Sequence, residues 1–380
     1  MELNKVKTER NYGIDLLRIV SMLFVVALHT LNQGGILNNT EPFSFKYFFS
    51  YFLYIAAFCA VNCYGLITGY VGYSSSKHKY SNLINLYLQT SFYALLSVIF
   101  YLCFKPEVIN IESLFDVVFP FLIESYWYFG AYFAMFFFIP IINKGIQACE
   151  KKYLDMFVAF ILLFFAVYST VITRDYFDLK RGYTFFWLII LYIIGAYIRK
   201  YEIDKKISNI KCIAVYLFMV VAVFGLKLVW EYYGLKQTGE FVLKGGLFIC
   251  YIALPILLCA VSLLLLFAKL NVKGVAQKIV KFSSPLAFGV YLCHSSEFFW
   301  SEILSGLFSG VVKCNSVIFI LGVIGAILSV YLVSMVIEFI RSKLFELCRI
   351  KKFSIWLEAL IIKIVSKCFS IFDKSDKKVN

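Results

Sequence analysis

His29, Arg18 and Asp15 lie in one apolar stretch, Gly13 to Thr30, and their types and spacing could do chemistry. An imidazole can take and return a proton near neutral pH or attack a carbonyl. A guanidinium is a fixed cation suited to phosphate, and a carboxylate can hold such a cation in place. An ionisable side chain in a membrane-spanning helix costs about 2.5–3.5 kcal/mol on insertion scales, so it turns toward a protein interior or a watery cavity and marks a working site. At about 100° and 1.5 Å per residue, Arg18 and His29 fall within roughly 20° of each other and about 16 Å apart along a helix. Asp15 falls roughly 40° from His29 on the same reckoning. The three can line one cavity, with an anion anchor at one end and a proton-transfer group at the other. Two plainer readings stay open: Arg18 as a snorkelling or topology-setting charge, and His29 as a buried hydrogen-bonding residue.

The elements that would position these groups follow from composition. Hydrophobic residues make up 61% of the 380 residues and the mean hydropathy is +0.81, above the roughly 45–50% apolar usage of soluble domains. The chain is expected to be an all-α integral membrane protein. Its net charge of +14 would suit nucleic acid, but the basic residues sit between apolar stretches, where membrane topology accounts for them. A bilayer core needs roughly 20 apolar residues per crossing, and ten stretches qualify: Gly13 to Leu31, Tyr47 to Tyr73, Leu83 to Phe104, Ser125 to Ile142, Leu154 to Thr173, Tyr183 to Ile198, Cys212 to Trp230, Gly245 to Ala268, Leu286 to Leu307 and Ser316 to Ile340. Phe115 to Ile123, interrupted by Pro120, reads as a re-entrant or interfacial segment.

Alternate connections differ in basic content. One side collects Lys5, Lys7, Arg10, Lys77, Lys79, Lys144, Lys151, Lys152, the runs Arg199 to Lys211 and Lys269 to Lys281, and the tail; the other collects far fewer. The rich side is expected to be cytoplasmic. Both termini then lie in the cytoplasm, Arg18 near that face and His29 in the outer half. The basic, apolar N-terminus resembles a signal peptide but is too long and lacks a cleavage pattern, so it is expected to stay as a helix. Residues 1–340 form one membrane domain. Residues 341–380 alternate basic and apolar side chains, as in a helix lying on the inner leaflet with a disordered basic end. No internal repeat is visible.

The remaining candidates carry two readings each. Lys227 and Glu231, spaced i, i+4, read as a structural ion pair. Glu297 stands three residues after His294, so the two can share a helical stripe that either packs or binds an acceptor; Glu124 and Glu302 lie near outer span ends. Trp127 and Tyr128 are interfacial belt residues or stacking platforms for sugar. Eleven cysteines are scattered without a C-x-x-C pair; Cys59 and Cys63 read as packing residues, and no metal site is expected.

Ile14-Asp15-Leu16-Leu17-Arg18, with Leu28-His29 closing the run, resembles the first helix of the membrane acyltransferase-3 family, whose signature is Arg, ten residues, then His. Gly65-Leu66-Ile67-Thr68-Gly69-Tyr70, Tyr126-Trp127-Tyr128 with Pro140, and Gly289-Val290-Tyr291-Leu292-Cys293-His294 are similar to other stretches of that family, so the likeness runs from Gly13 to about Ile340. One departure stands out: where many members carry Arg-x-x-Arg after the second span, this chain has Lys77-His78-Lys79-Tyr80, and lysine cannot form the bidentate fork.

The resemblance implies a bacterial plasma-membrane O-acyltransferase. It would move an acyl group, usually acetyl, from cytoplasmic acetyl-CoA to a hydroxyl of a surface glycan or lipid-linked sugar, with polysaccharide-assembly proteins and membrane lipid as partners and no nucleic acid. The catalytic candidates are then His29, as base or acyl carrier, and Asp15, holding Arg18 or the helix start. The donor candidates are Arg18, Lys77 and Lys79; the acceptor candidates are Trp127, Tyr128, His294 and Glu297. The rival reading is a secondary transporter or glycan flippase in which Asp15, Arg18 and His29 relay protons or substrate. A glycan polymerase would need a large Arg-rich outer loop, and only Arg174 and Arg181 qualify.

Overall fold

The computed structural model describes residues 10–74, 79–172, 175, 177–239 and 248–379. Among these the chain is helical, with no strand. In order, α1 is Tyr12–Asn32, α2 Phe45–Ala57, α3 Ala60–Gly72, α4 Tyr80–Phe104, α5 Ile111–Val118, α6 Trp127–Phe136 and α7 Ile139–Ala148. Next come α8 Lys151–Ile161, a π-helical turn Leu162–Val167, α9 Tyr168–Ile172, α10 Phe185–Lys200, α11 Ile203–Lys206 and α12 Asn209–Thr238. The chain closes with α13 Leu254–Phe267, α14 Gly274–Ser283, α15 Ala287–His294, α16 Ser316–Leu347 and α17 Ile350–Val379. Several starts are capped by side chains that accept the backbone N–H groups unpaired at helix ends: Asn11 for α1, Ser44 for α2, Ser208 for α12 and Asn315 for α16.

Among the described residues, six helical segments are long and apolar enough to cross a bilayer: Tyr12–Asn39, Phe45–Gly72, Tyr80–Phe104, Lys151–Ile172, Asn209–Thr238 and Ser316–Leu347. Glu124–Phe136 and Ile139–Ala148 form a seventh candidate, bent by 55°. The other three expected stretches are not long helices. Tyr183 to Ile198 holds α10, of 16 residues; Gly245 to Ala268 holds α13, of 14 residues; and in Leu286 to Leu307 the chain leaves the helix after His294, turns through Ser295 and Ser296, and resumes as a π-helical segment, Phe299–Leu304. The sequence cannot separate these from full spans because apolar content reports burial in protein as readily as burial in lipid. In α10, Trp187, Leu188, Ile190, Leu191 and Tyr192 are all 2% exposed or less, so this helix is sheathed by its neighbours. Irregular backbone at membrane depth is tolerated where protein or a cavity surrounds it.

Around the expected Phe115 to Ile123 segment, the chain forms α5 and then a 3-10 turn, Pro120–Leu122. At the other end, α16 runs past residue 340 to Leu347, and α17 packs on α4 and α16, with the Tyr80 backbone N–H donating to Glu358 Oε1 at 2.7 Å.

Several charged groups inside the bundle are met across helices. Lys227 and Glu231 of α12, 2% and 0% exposed, form an ion pair at 2.5 Å. Lys227 also donates to the Tyr47 hydroxyl, which donates to Glu231 Oε2 at 2.6 Å, while the ammonium lies 3.7 Å from the centre of the Tyr51 ring. Both charges are thus satisfied by α2. Cys59 and Cys63 are buried and unbridged.

The tightest helix pair is α3 on α10. A Cβ on Gly69 would sit 1.9 Å from the Tyr192 carbonyl oxygen, and one on Gly195 would sit 2.1 Å from that of Leu66. Small residues spaced i, i+4, here Gly65 and Gly69, let two backbones touch where lipid supplies no hydrophobic drive between helices. Gly69→Ala is expected to destabilise the protein by about 1–3 kcal/mol, as forced overpacking does. Gly225→Ala, where a Cβ would meet nothing within 4 Å, should leave the midpoint of thermal unfolding in detergent unchanged or raised.

Candidate active site

α1 carries two polar clusters, one at each end. At its N-terminal end Asp15, 3% exposed, accepts from Arg10 Nε at 2.5 Å on Oδ2 and from Arg18 on Oδ1, with Ser284 Oγ 3.3 Å away. Arg10, Asp15 and Arg18 border a cavity of about 240 Å³ that is also lined by Tyr70 and Arg199. Arg199 comes from the last turn of α10. It donates through Nη1 to the Tyr70 hydroxyl at 3.3 Å and lies 5.2 Å from the centre of that ring; Tyr70 donates in turn to Asp204 Oδ2 at 3.2 Å. The backbone contact at Gly69 therefore decides where Tyr70 and Arg199 meet.

Toward the C-terminal end of α1, His29 is half-buried and meets His294, the last residue of α15 and fully buried. His29 Nδ1 lies 2.9 Å from His294 Nε2, and His294 Nδ1 lies 2.5 Å from the Val290 carbonyl oxygen. The protons are assigned from this network. A carbonyl only accepts, so His294 Nδ1 carries a hydrogen; a neutral imidazole then offers Nε2 as an acceptor, and His29 must donate through Nδ1. His29 Nε2 is left with its lone pair. The Trp300 ring packs edge-on against His29 with centroids 4.9 Å apart. A narrow cavity of about 40 Å³ opens beside His29, lined by Tyr64, Trp127, Tyr128, Tyr251, Phe288 and Tyr291.

The surrounding hydrogen bonds fix this end. The Tyr291 hydroxyl donates to the Ser125 carbonyl at 2.9 Å, and Tyr126 donates to that of Leu292 at 3.3 Å, cross-linking α15 to the start of α6. The Gly306 and Phe308 N–H groups donate to the carbonyls of Gln33 and Gly34, both at 2.9 Å. Between the two clusters, the Tyr64 hydroxyl donates to the Arg18 carbonyl at 2.7 Å.

Of the residues singled out from sequence, Asp15 and Arg18 share the first cluster, and His29, His294, Trp127 and Tyr128 share the second. Asp15 is engaged by two guanidiniums and lies 14 residues, or about 21 Å of helix, from His29. Glu297 stands apart. The expected stripe with His294 does not form, because the helix ends at His294 and Ser295 takes φ −96°, ψ 0°; Glu297 is exposed and accepts instead from Ser301 at 2.9 Å and Ser125 at 3.4 Å. Trp127 faces inward rather than forming a belt, with ring centroids 4.5 Å from Tyr183 and 5.9 Å from Tyr251. Lys79 is exposed next to α4 and does not line the Arg18 cavity; Lys77 and His78 lie outside the described residues. Arg10 and Arg199 entered the sequence reading only as topology charges. Nothing in the order of residues separates them from their basic neighbours, because their roles come from contacts with Asp15 and Tyr70.

A helical membrane protein with a paired histidine beside an aromatic cavity, and an arginine-lined cavity farther along the same helix, is equipped for group transfer. The family model described as an acyltransferase domain matches residues 11–339, and the chain belongs to this acyltransferase-3 family. It is an acyltransferase. Comparison with curated proteins and with solved structures gives no match.

If His294 fixes the tautomer of His29, removing it must slow chemistry more than binding. His294→Ala is expected to lower kcat for acyl transfer about 100-fold, within the range of general acid–base contributions, while the donor KM changes less than about twofold. His294→Gln, which keeps an acceptor, should recover part of the loss in initial-rate assays.

Proposed function

We propose that the protein transfers an acyl group, acetyl in the first instance, from cytoplasmic acyl-CoA to a hydroxyl of an extracytoplasmic polysaccharide or lipid-linked sugar. The observation that carries the reading is the His29–His294 pair, which leaves His29 Nε2 unprotonated beside an aromatic cavity. Sidedness follows the Lys and Arg bias: the α1 N-terminus, both chain termini and the arginine-lined cavity face the cytoplasm, and the His29 end faces outward. The shorter α10, α13 and α15 regions complete ten crossings inside the bundle.

The residues present suit an acyl-CoA donor. Arg18 and its neighbours offer guanidiniums to phosphate, and the roughly 16 Å from Arg18 to His29 along α1 suits the donor's extended arm. Bound there, the donor supplies an activated thioester carbonyl. His29 Nε2 takes the proton of the acceptor hydroxyl as its oxygen attacks that carbonyl, and the resulting imidazolium keeps its Nδ1–H bond to His294. As the carbon–sulfur bond breaks, the same proton passes from Nε2 to the departing sulfur. The aromatic rings of Trp127, Tyr128 and Tyr251 give the sugar a stacking surface and keep water from the thioester. Asp15 holds Arg10 and Arg18 rather than touching the reacting atoms.

His29→Ala should abolish acyl transfer, with a loss of at least about 100-fold, measured as base-labile acetate on surface glycan in cells carrying the variant. Wild-type acetate levels in that variant would overturn the mechanism.

A further inference from the structure

The arginine-lined cavity contains one cation that the single carboxylate in its lining does not pair with. Arg10 and Arg18 both pair with Asp15. Arg199 faces the same cavity and, among the described residues, forms no ion pair; the one hydrogen bond found for its guanidinium runs to the Tyr70 hydroxyl. That hydroxyl is committed to Asp204, which is 4% exposed and stands behind Tyr70 outside the cavity lining. The lining therefore holds three guanidiniums against the single carboxylate of Asp15. Arg199 is also pre-positioned. Its guanidinium lies over the Tyr70 ring, and both residues extend from the α3–α10 contact in which Gly69 touches the Tyr192 carbonyl. A fork with most of its donors open, set over the Tyr70 ring in a lining of three guanidiniums and one carboxylate, fits a group carrying at least two negative charges.

We infer that Arg199, latched by Tyr70, binds the phosphates at the nucleotide end of the acyl donor, and that this latch does the work expected of Lys77 and Lys79. The identity of the ligand rests on the acyl-transfer reading, but the site can be read by binding alone. Arg10 and Arg18 already answer to Asp15, so a phosphate entering the cavity meets Arg199 without first displacing a carboxylate.

The test is calorimetric titration of the purified full-length protein in detergent with coenzyme A, and with pantetheine as the phosphate-free counterpart. Arg199→Ala should weaken coenzyme A binding about tenfold to a hundredfold, as expected for a lost charge-assisted contact, and leave pantetheine binding unchanged. Arg199→Lys should retain part of the affinity, and Tyr70→Phe, which removes the hydroxyl but keeps the ring, should cost severalfold. Unfolding midpoints equal to wild type in Arg199→Lys and Tyr70→Phe guard against a folding artefact. Unchanged coenzyme A affinity in Arg199→Ala would overturn the inference, as would wild-type protein that binds coenzyme A no better than pantetheine. Acyl transfer from S-acetylpantetheine by the wild type reads the proposed function separately: its absence, together with Arg199-dependent coenzyme A binding, would sink the catalytic reading and leave the phosphate site standing.

Discussion

A charge withdrawn into this apolar bundle has to be met by a partner, and those partners decide which helices touch. An unpaired polar group out of water costs a few kcal/mol and an unpaired charge costs more, whereas one Leu face fits another almost interchangeably in lipid. Glu231 is answered by Lys227 and Tyr47, joining α12 to α2. Asn62 donates to the Tyr251 carbonyl at 2.8 Å and accepts from Trp187 Nε1 at 3.0 Å, tying α3 to α10 and to the segment before α13. The site is built on the same constraint: the two histidines are each other's partner, and Asp15 answers two arginines.

One such pair supports the His29–His294 contact from behind. Glu338 and Arg341 of α16, 1% and 8% exposed at their side chains, bond at 2.6 Å, and the Glu338 carboxylate also accepts from Tyr93 at 2.8 Å and Gln89 at 3.1 Å, both from α4. The carboxylate packs so closely on α15 that a Cβ on Gly289 would fall 1.9 Å from its carbon. α15 is only eight residues long. Held from one side by α16 and cross-linked on the other through Tyr126 and Tyr291, it presents His294 at a fixed height to His29. A short, broken helix can be rigid when its neighbours supply the hydrogen bonds and contacts it lacks.

α1 holds two polar clusters apart, one toward each of its ends. One helix carries the Asp15–Arg18 cluster and, about three turns after Arg18, His29. Asp15 matters to this layout because it gathers Arg10 and Arg18 where the helix begins, beside Ser284. Lys79 does not line that cavity, whereas Arg199, from a distant helix, does.

The order of residues by itself determined that the chain is helical and apolar, that Asp15, Arg18 and His29 share a stripe of α1, and that the family is the acyltransferase-3 family, because charge inside an apolar run and helical periodicity are local properties. It also picked out Lys227 with Glu231, whose spacing lies within one helix. Of the ten stretches it marked, those holding α10 and α13 form shorter helices, and in α10 burial in protein accounts for the apolar content. It paired His294 with Glu297, because the break at Ser295 depends on what packs around α15. Only tertiary structure decided that His29 meets His294 across 265 positions of chain, that Arg199 joins Arg18, and that Trp127 faces inward. Those contacts are made between helices, where burial, close backbone approach and the need of each polar group for a partner act together.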